Sequence, residues 1–106
     1  MGERTEAVAP GDICETLGAL ASLIRQRHLE LPQGSYTTKL LSEPIDYLLK
    51  KLIEEACELT LAVKDEDHDH IRYEAADVTY HLLVLLERVG VSPEELAGEL
   101  NARRQR

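Results

Sequence analysis

Two short clusters of carboxylates stand out in this chain by residue type and spacing. The first is Glu54-Glu55-Ala56-Cys57-Glu58, an EExxE pattern preceded by Lys50-Lys51. The second is Glu74-Ala75-Ala76-Asp77, an ExxD pattern preceded by Tyr73. Spacings of three and four residues bring side chains together on one side of an α-helix. Carboxylate oxygens without thiolates suit a hard cation, Mg²⁺ or Mn²⁺ in its place, rather than zinc. Magnesium keeps several waters and typically brings a phosphorylated substrate with it. Such residues would hold a hydrated cation where it can neutralise the charge of a substrate's phosphates.

That chemistry requires the two clusters to meet, which depends on the helices that carry them. With about 100° per residue, the helix that runs to about Lys64 has an apolar stripe of Ile45, Leu48, Leu49, Leu52, Ala56, Leu59 and Val63. Measured from Leu52, Glu55 falls at about −60°, Lys51 at about −100°, Glu58 at about −120° and Glu54 at about −160°. The next helix, about Asp69 to Val89, has a stripe of Ile71, Ala75, Val78, Leu82, Leu85 and Val89. Measured from Val78, Glu74 falls at about −40°, His81 at about −60° and Asp77 at about −100°.

Between them lies Asp65-Glu66-Asp67-His68-Asp69-His70, a wholly polar break. It reads as a solvated turn rather than a metal site, because nothing nearby would shield it from water. So short a break predicts an antiparallel hairpin with the stripes facing. A hairpin folded about residue 66 sets Glu58 level with Glu74 and Glu55 level with Asp77. Four carboxylates flanking one groove repel unless a cation sits among them. Glu55, Glu58, Glu74 and Asp77 are thus the expected metal ligands. Glu74 lies among apolar residues, where an unpaired carboxylate is costly. Glu54 fits a solvated ion pair, and Lys51 with Glu55 fits an i,i+4 salt bridge. His81 stands at the edge of the site, as a hydrogen-bonded histidine or as a catalytic one.

The rest of the chain reads as more helix. Residues 1–10 form a loose arm without the apolar run of a signal peptide, and residues 11–106 form one domain. Asp12 caps a helix patterned by Ile13, Leu17, Leu20, Ala21 and Ile24, running to about Leu29. Its end is basic, with Arg25, Arg27 and His28, which suits a helix C-terminus or a ligand. Leu31-Pro32-Gln33-Gly34-Ser35 is a loop. Ser35 can cap a turn from Tyr36 to Leu41 that offers Tyr36, Thr37, Thr38 and Lys39, hydroxyls and a cation suited to phosphate. Pro44 stands near the first position of the helix that follows. Gly90 ends the helix before it, and Ser92-Pro93-Glu94-Glu95 carries a capping box for a last helix over about 93–104. No strand is evident, so the expected fold is all-α, an antiparallel hairpin or bundle of about four helices.

Composition narrows the partners. Asp and Glu number 20 against 12 Lys and Arg, a formal net charge of −8. That disfavours nucleic acid, whose phosphates need clustered cations; Arg103, Arg104 and Arg106 complement a helix end instead. Without Trp or Phe the core must be aliphatic. Cys14 and Cys57 read as small core residues rather than a disulfide or zinc pair. No stretch approaches a membrane span, so a soluble, cytoplasmic protein is expected. Leu61, Leu83 and Val84 lie outside the two stripes, and exposed apolar patches suggest a partner surface. A homodimer completing a larger bundle is the simplest expectation.

From roughly residue 15 to residue 100 the sequence resembles the phosphoribosyl-ATP pyrophosphatase family of histidine biosynthesis. EExxE followed by ExxD is shared by the wider all-α, MazG-like NTP pyrophosphatase superfamily. Gly34-Ser35-Tyr36-Thr37 with Lys39-Leu40, the Lys50-Lys51 and Glu54-Glu55 run, and Tyr73-Glu74-Ala75-Ala76-Asp77 with Tyr80-His81-Leu82-Leu83-Val84-Leu85-Leu86 are together much more specific to the histidine branch. Family members often have Gly before the paired glutamates; here it is Ile53, and Cys57 replaces a small residue. Neither change touches a proposed ligand. The resemblance implies Mg²⁺-dependent hydrolysis of phosphoribosyl-ATP to phosphoribosyl-AMP and pyrophosphate, by a homodimer. It implies Glu55, Glu58, Glu74 and Asp77 as ligands, and Glu54 as an accessory ligand or a residue that orients water. Glu54 and Glu58 are the candidate catalytic residues, and Tyr36, Lys39, Lys51 and His81 the candidate substrate contacts. The rivals are a house-cleaning pyrophosphatase of free (d)NTPs and a non-catalytic helical interaction module.

Overall fold

The computed structural model of the chain describes residues 8–105. Most of the expected N-terminal arm, residues 1–7, lies outside them, as does Arg106. The described residues form five helices and no strand: α1 (Ile13–Glu30), α2 (Tyr36–Ser42), α3 (Ile45–Lys64), α4 (His68–Val89) and α5 (Pro93–Arg104).

Local chemistry sets each boundary. Asp12 accepts hydrogen bonds from the Cys14 and Glu15 amides and starts α1. Leu31 ends it in the left-handed region, with φ 46°, its amide bonded to the Arg27 carbonyl. Ser35 caps α2 through the Thr38 amide. Pro44 is the cap of α3 rather than its first helical residue, and supplies no side-chain bond. Between α3 and α4 the chain reverses at Glu66, φ 57°, and Asp67 caps α4 by accepting from the His70 amide. The acidic break therefore builds the turn. Gly90, φ 83°, ends α4, and Ser92 with Glu95 forms the expected capping box of α5.

The α3–α4 hairpin is the principal packed pair, and α1 and α2 pack on α4. Their junction is the core: Ile24 of α1, Leu40 and Leu41 of α2, Leu48 of α3 and Val84 of α4. Burying each such side chain contributes about 1.5–3 kcal/mol. Tyr47 and Tyr80 pack against this aliphatic centre. Arg88 reaches from α4 to the end of α2, donating to the Leu41 carbonyl at 3.3 Å and the Glu43 carbonyl at 2.6 Å. It satisfies carbonyls that a helix end leaves without partners. Glu87 accepts from Arg25 Nη1 at 2.9 Å and His28 Nδ1 at 2.5 Å, which fixes the basic end of α1 onto α4.

Three expectations need correction. Both cysteines are exposed: Cys14 sits in the first turn of α1, ahead of the packed part, and Cys57 beside Ala56 on the outer flank of α3. Val84 is buried and Leu83 packs against the core, because α1 and α2 cover the side of α4 that a hairpin alone would expose. Leu61 does remain exposed. Finally, both buried faces are rotated from the predicted stripes. Leu48, Glu55 and Ala62 define the buried line of α3, while Leu49, Ala56 and Val63 are exposed. Glu74, His81 and Val84 define that of α4, while Val89 is exposed.

Candidate active site

That rotation brings the carboxylates inward. Glu55 and Glu74 expose 1% and 0% of their surface, on the centre lines of the two facing helices. Carboxylate oxygens of Glu55, Glu58 and Glu74 lie within 4.8 Å of one another, the arrangement of a cation site. Asp77 completes the group from one turn further along α4. Its carboxyl lies against that of Glu55, and the Glu58 carboxyl against that of Glu74. These are the two level pairs expected from a turn at residue 66.

Two carboxyl groups in contact require a proton or a cation between them. Burial pushes the Glu74 carboxyl up to about 8, helped by Glu58 and then by the charges of Asp77 and Glu55. Burial also raises Glu55, with Asp77 adding to it and Lys51 opposing. Both oxygens of Glu74, Oε2 of Glu55 and Oδ2 of Asp77 are buried without a hydrogen-bond partner. Buried polar atoms are nearly always satisfied, so four orphaned oxygens on two adjacent turns fit a hard, oxygen-seeking ion. Glu55, Glu58, Glu74 and Asp77 are the residues that could hold it.

Lys51 closes one side of the cluster, its Nζ 3.5 Å from Glu55 and 3.8 Å from Glu54. Glu54 itself is half-exposed and also faces Lys50 at 4.0 Å. It stands at the rim, as its position on the wheel indicated. Lys39 is exposed and sits over the Tyr47 ring, 3.3 Å from its hydroxyl.

The first turn of α2 docks directly on α4 beside Asp77. The Tyr36 hydroxyl is 3.3 Å from His81 Nε2, and His81 Nδ1 is 2.8 Å from the Asp77 carbonyl oxygen. Thr37 Oγ1 and the Tyr80 hydroxyl are 2.6 Å apart. Sequence reasoning found Tyr36 and His81 but not the Thr37–Tyr80 link, nor Arg88 as the anchor of α2. The available signal for Arg88 was a lone cation closing the apolar run of α4. Arg25 and His28 turn toward Glu87 instead of the cluster.

Fold and site together define an all-α protein whose helical hairpin buries a cluster of carboxylates. Within that class, the chain belongs to the phosphoribosyl-ATP pyrophosphohydrolase family, whose model matches residues 17–104. It is 40% identical over 89 residues to the phosphoribosyl-ATP pyrophosphatase of Metallosphaera sedula, covering 84% of this chain and 96% of that one. The protein of the same name from Nitrosomonas eutropha is 44% identical over 87 residues, 82% of this chain and 74% of that one. The histidine biosynthesis bifunctional protein HisIE of Bacillus subtilis is 41% identical over 101 residues, 95% of this chain and 48% of that one. The chain spans about half the length of the bifunctional relatives it matches.

Proposed function

We propose that this chain is a Mg²⁺-dependent hydrolase that converts phosphoribosyl-ATP to phosphoribosyl-AMP and pyrophosphate in histidine biosynthesis. The observation that carries the reading is the set of buried, unpartnered carboxylate oxygens of Glu55, Glu74 and Asp77, with Glu58 beside them. Family membership supports the substrate. The names of the relatives support both substrate and pathway.

Glu55, Glu58, Glu74 and Asp77 would hold the ion, with Mn²⁺ able to replace Mg²⁺. When bound, it would neutralise negative charge on the phosphates and on the departing pyrophosphate. Glu58, or Glu54 at the rim, orients the attacking water and takes its proton. The water oxygen forms a bond to phosphorus as the anhydride oxygen leaves with pyrophosphate. Lys51 offers a cation to the phosphates beside Glu55, and Lys39 a second, exposed one. Tyr36 and His81 form the wall next to Asp77.

The reading includes a homodimer in the cytoplasm. Among the described residues, no helix is long and apolar enough to cross a membrane. Leu49, Ile53, Ala56 and Val63 recur at helical spacing along α3 and are exposed, Ile53 by 71%. This face lies on the opposite flank of α3 from Lys51, Glu54 and Glu58. An exposed apolar stripe of this kind suits a second copy.

Pyrophosphate release should be measured with phosphoribosyl-ATP and with a panel of dNTPs, each with Mg²⁺ and with chelator. Mg²⁺-dependent release from phosphoribosyl-ATP well above the panel is the expected result. Preference for the panel would make the chain a general nucleotide pyrophosphatase. Release from nothing, with no Mg²⁺-induced thermal shift, would leave a helical interaction module.

A further inference from the structure

His81 has both ring nitrogens engaged, and the partners fix its chemistry. Nδ1 faces the Asp77 backbone carbonyl at 2.8 Å. A carbonyl oxygen only accepts, so Nδ1 carries the proton. In the neutral ring Nε2 is then a bare lone pair, and the group facing it is the Tyr36 hydroxyl at 3.3 Å. In that state the phenol donates its proton inward to His81. What remains on the Tyr36 oxygen is acceptor capacity.

Packing holds this arrangement. The Tyr36 and Tyr80 rings stack, with centroids 6.2 Å apart and planes at 21°. Both meet the imidazole edge-on, at 78° and 86°. Thr37 and Tyr80 add a second hydroxyl link one residue along each helix. His81 exposes 4% of its surface and Tyr36 43%. A ligand therefore reaches the tyrosine and not the histidine.

We propose that His81 is a positioning residue that fixes Tyr36 as a hydrogen-bond acceptor, so that Tyr36 selects a donor group on the substrate, a sugar hydroxyl or a base amine. Phosphate oxygens accept, so they are left to the lysines. The selection part rests on the reading of the site as a nucleotide pyrophosphohydrolase. The His81–Tyr36 arrangement itself does not.

The test has two parts, both on the full chain. First, ¹⁵N-histidine spectra at about pH 7.5, above the usual imidazole range, report the ring tautomer, with His81 assigned by the signal that His81→Gln removes. A protonated Nδ1 with a bare Nε2 that shifts in Tyr36→Phe is expected. A protonated Nε2 overturns the proposal, whether or not the protein is active. Second, pyrophosphate release from phosphoribosyl-ATP is followed in variants. Tyr36→Phe and His81→Leu should each raise KM about fivefold or more, with kcat falling less. The double variant should be no worse than either single one. His81→Gln, which keeps an acceptor for the phenol, should retain more affinity than His81→Leu. A 2′-deoxyribosyl analogue of the substrate that loses affinity with the wild type but not with Tyr36→Phe assigns the donor to that sugar hydroxyl; equal affinity places it on another hydroxyl or on the base. Collapse of kcat at unchanged KM in His81→Leu, with loss of one limb of the pH profile, would make His81 an acid–base catalyst and overturn the proposal. Wild-type protein that does not cleave phosphoribosyl-ATP sinks the substrate reading alone, and the tautomer spectra still decide the His81–Tyr36 arrangement.

Discussion

Glu74, a proposed metal ligand, carries a penalty in the metal-free protein. Its carboxyl is fully buried, pushed up to about 8 by burial and by its acidic neighbours, and no donor meets it. A carboxyl whose folded pKa is raised binds its proton more tightly in the native state than in the unfolded chain. Metal-free protein should therefore lose stability as pH rises from about 4.5 to about 8, with Glu55 acting in the same direction. Glu87 has the opposite sign: burial alone would raise it, but hydrogen bonds from His28 and Arg25 outweigh that and hold it low. Its contribution is present above its unfolded pKa and lost as pH falls through the folded one. Thermal melts in chelator should show Tm lower at pH 8.5 than at pH 5.5 by about 5 °C or more. Mg²⁺ should remove most of that difference, and Glu74→Gln should remove it without the ion. Glu58→Gln and Asp77→Asn should lose most pyrophosphate release while circular dichroism remains helical; near-normal turnover at saturating Mg²⁺ would refute their roles. The sequence showed this quartet because spacing and turn position are countable. It could not show the Thr37–Tyr80 pair, because which residues of α2 face α4 depends on how a seven-residue helix docks.

Element boundaries were legible wherever a side chain makes them. Asp12, Ser35, Gly90 and the Ser92–Glu95 box all act as their types suggest. The orientation of α3 and α4 was read less well, and for a physical reason. A wheel centred on apolar residues assumes that the buried line is apolar. Here the line carries Glu55, Glu74 and His81, so the true contact is rotated toward the polar side. Polar and charged groups on the buried face displaced the hydrophobic signal they were expected to border. The placement of α2 was also hidden, since Arg88 acts on backbone carbonyls that no side-chain pattern advertises. Arg88→Met should keep most packing volume and lose these bonds. Urea midpoints should report a loss of about 1–3 kcal/mol, and KM should rise because Tyr36 sits in the first turn of the released helix.

At the scale of the molecule, the α3–α4 hairpin leaves one flank apolar and the other acidic. The acidic flank was expected from sequence. The apolar flank emerged from Leu49, Ala56 and Val63, residues first assigned to the core. Ile53→Glu should convert a dimer to a monomer by sedimentation, and remove the dependence of Tm on protein concentration. A monomeric wild type would leave Leu49, Ile53 and Val63 without the partner proposed for them. The turn at Glu66 has a further consequence, in time rather than in space. All four carboxylates lie in one continuous segment closed by a tight reversal, and contacts between near neighbours in sequence form fast. Tyr36 reaches them only when α2 docks, across a longer separation along the chain. Refolding should thus bring the acidic residues together in an early phase, and fluorescence from the tyrosines around His81 should report a later one.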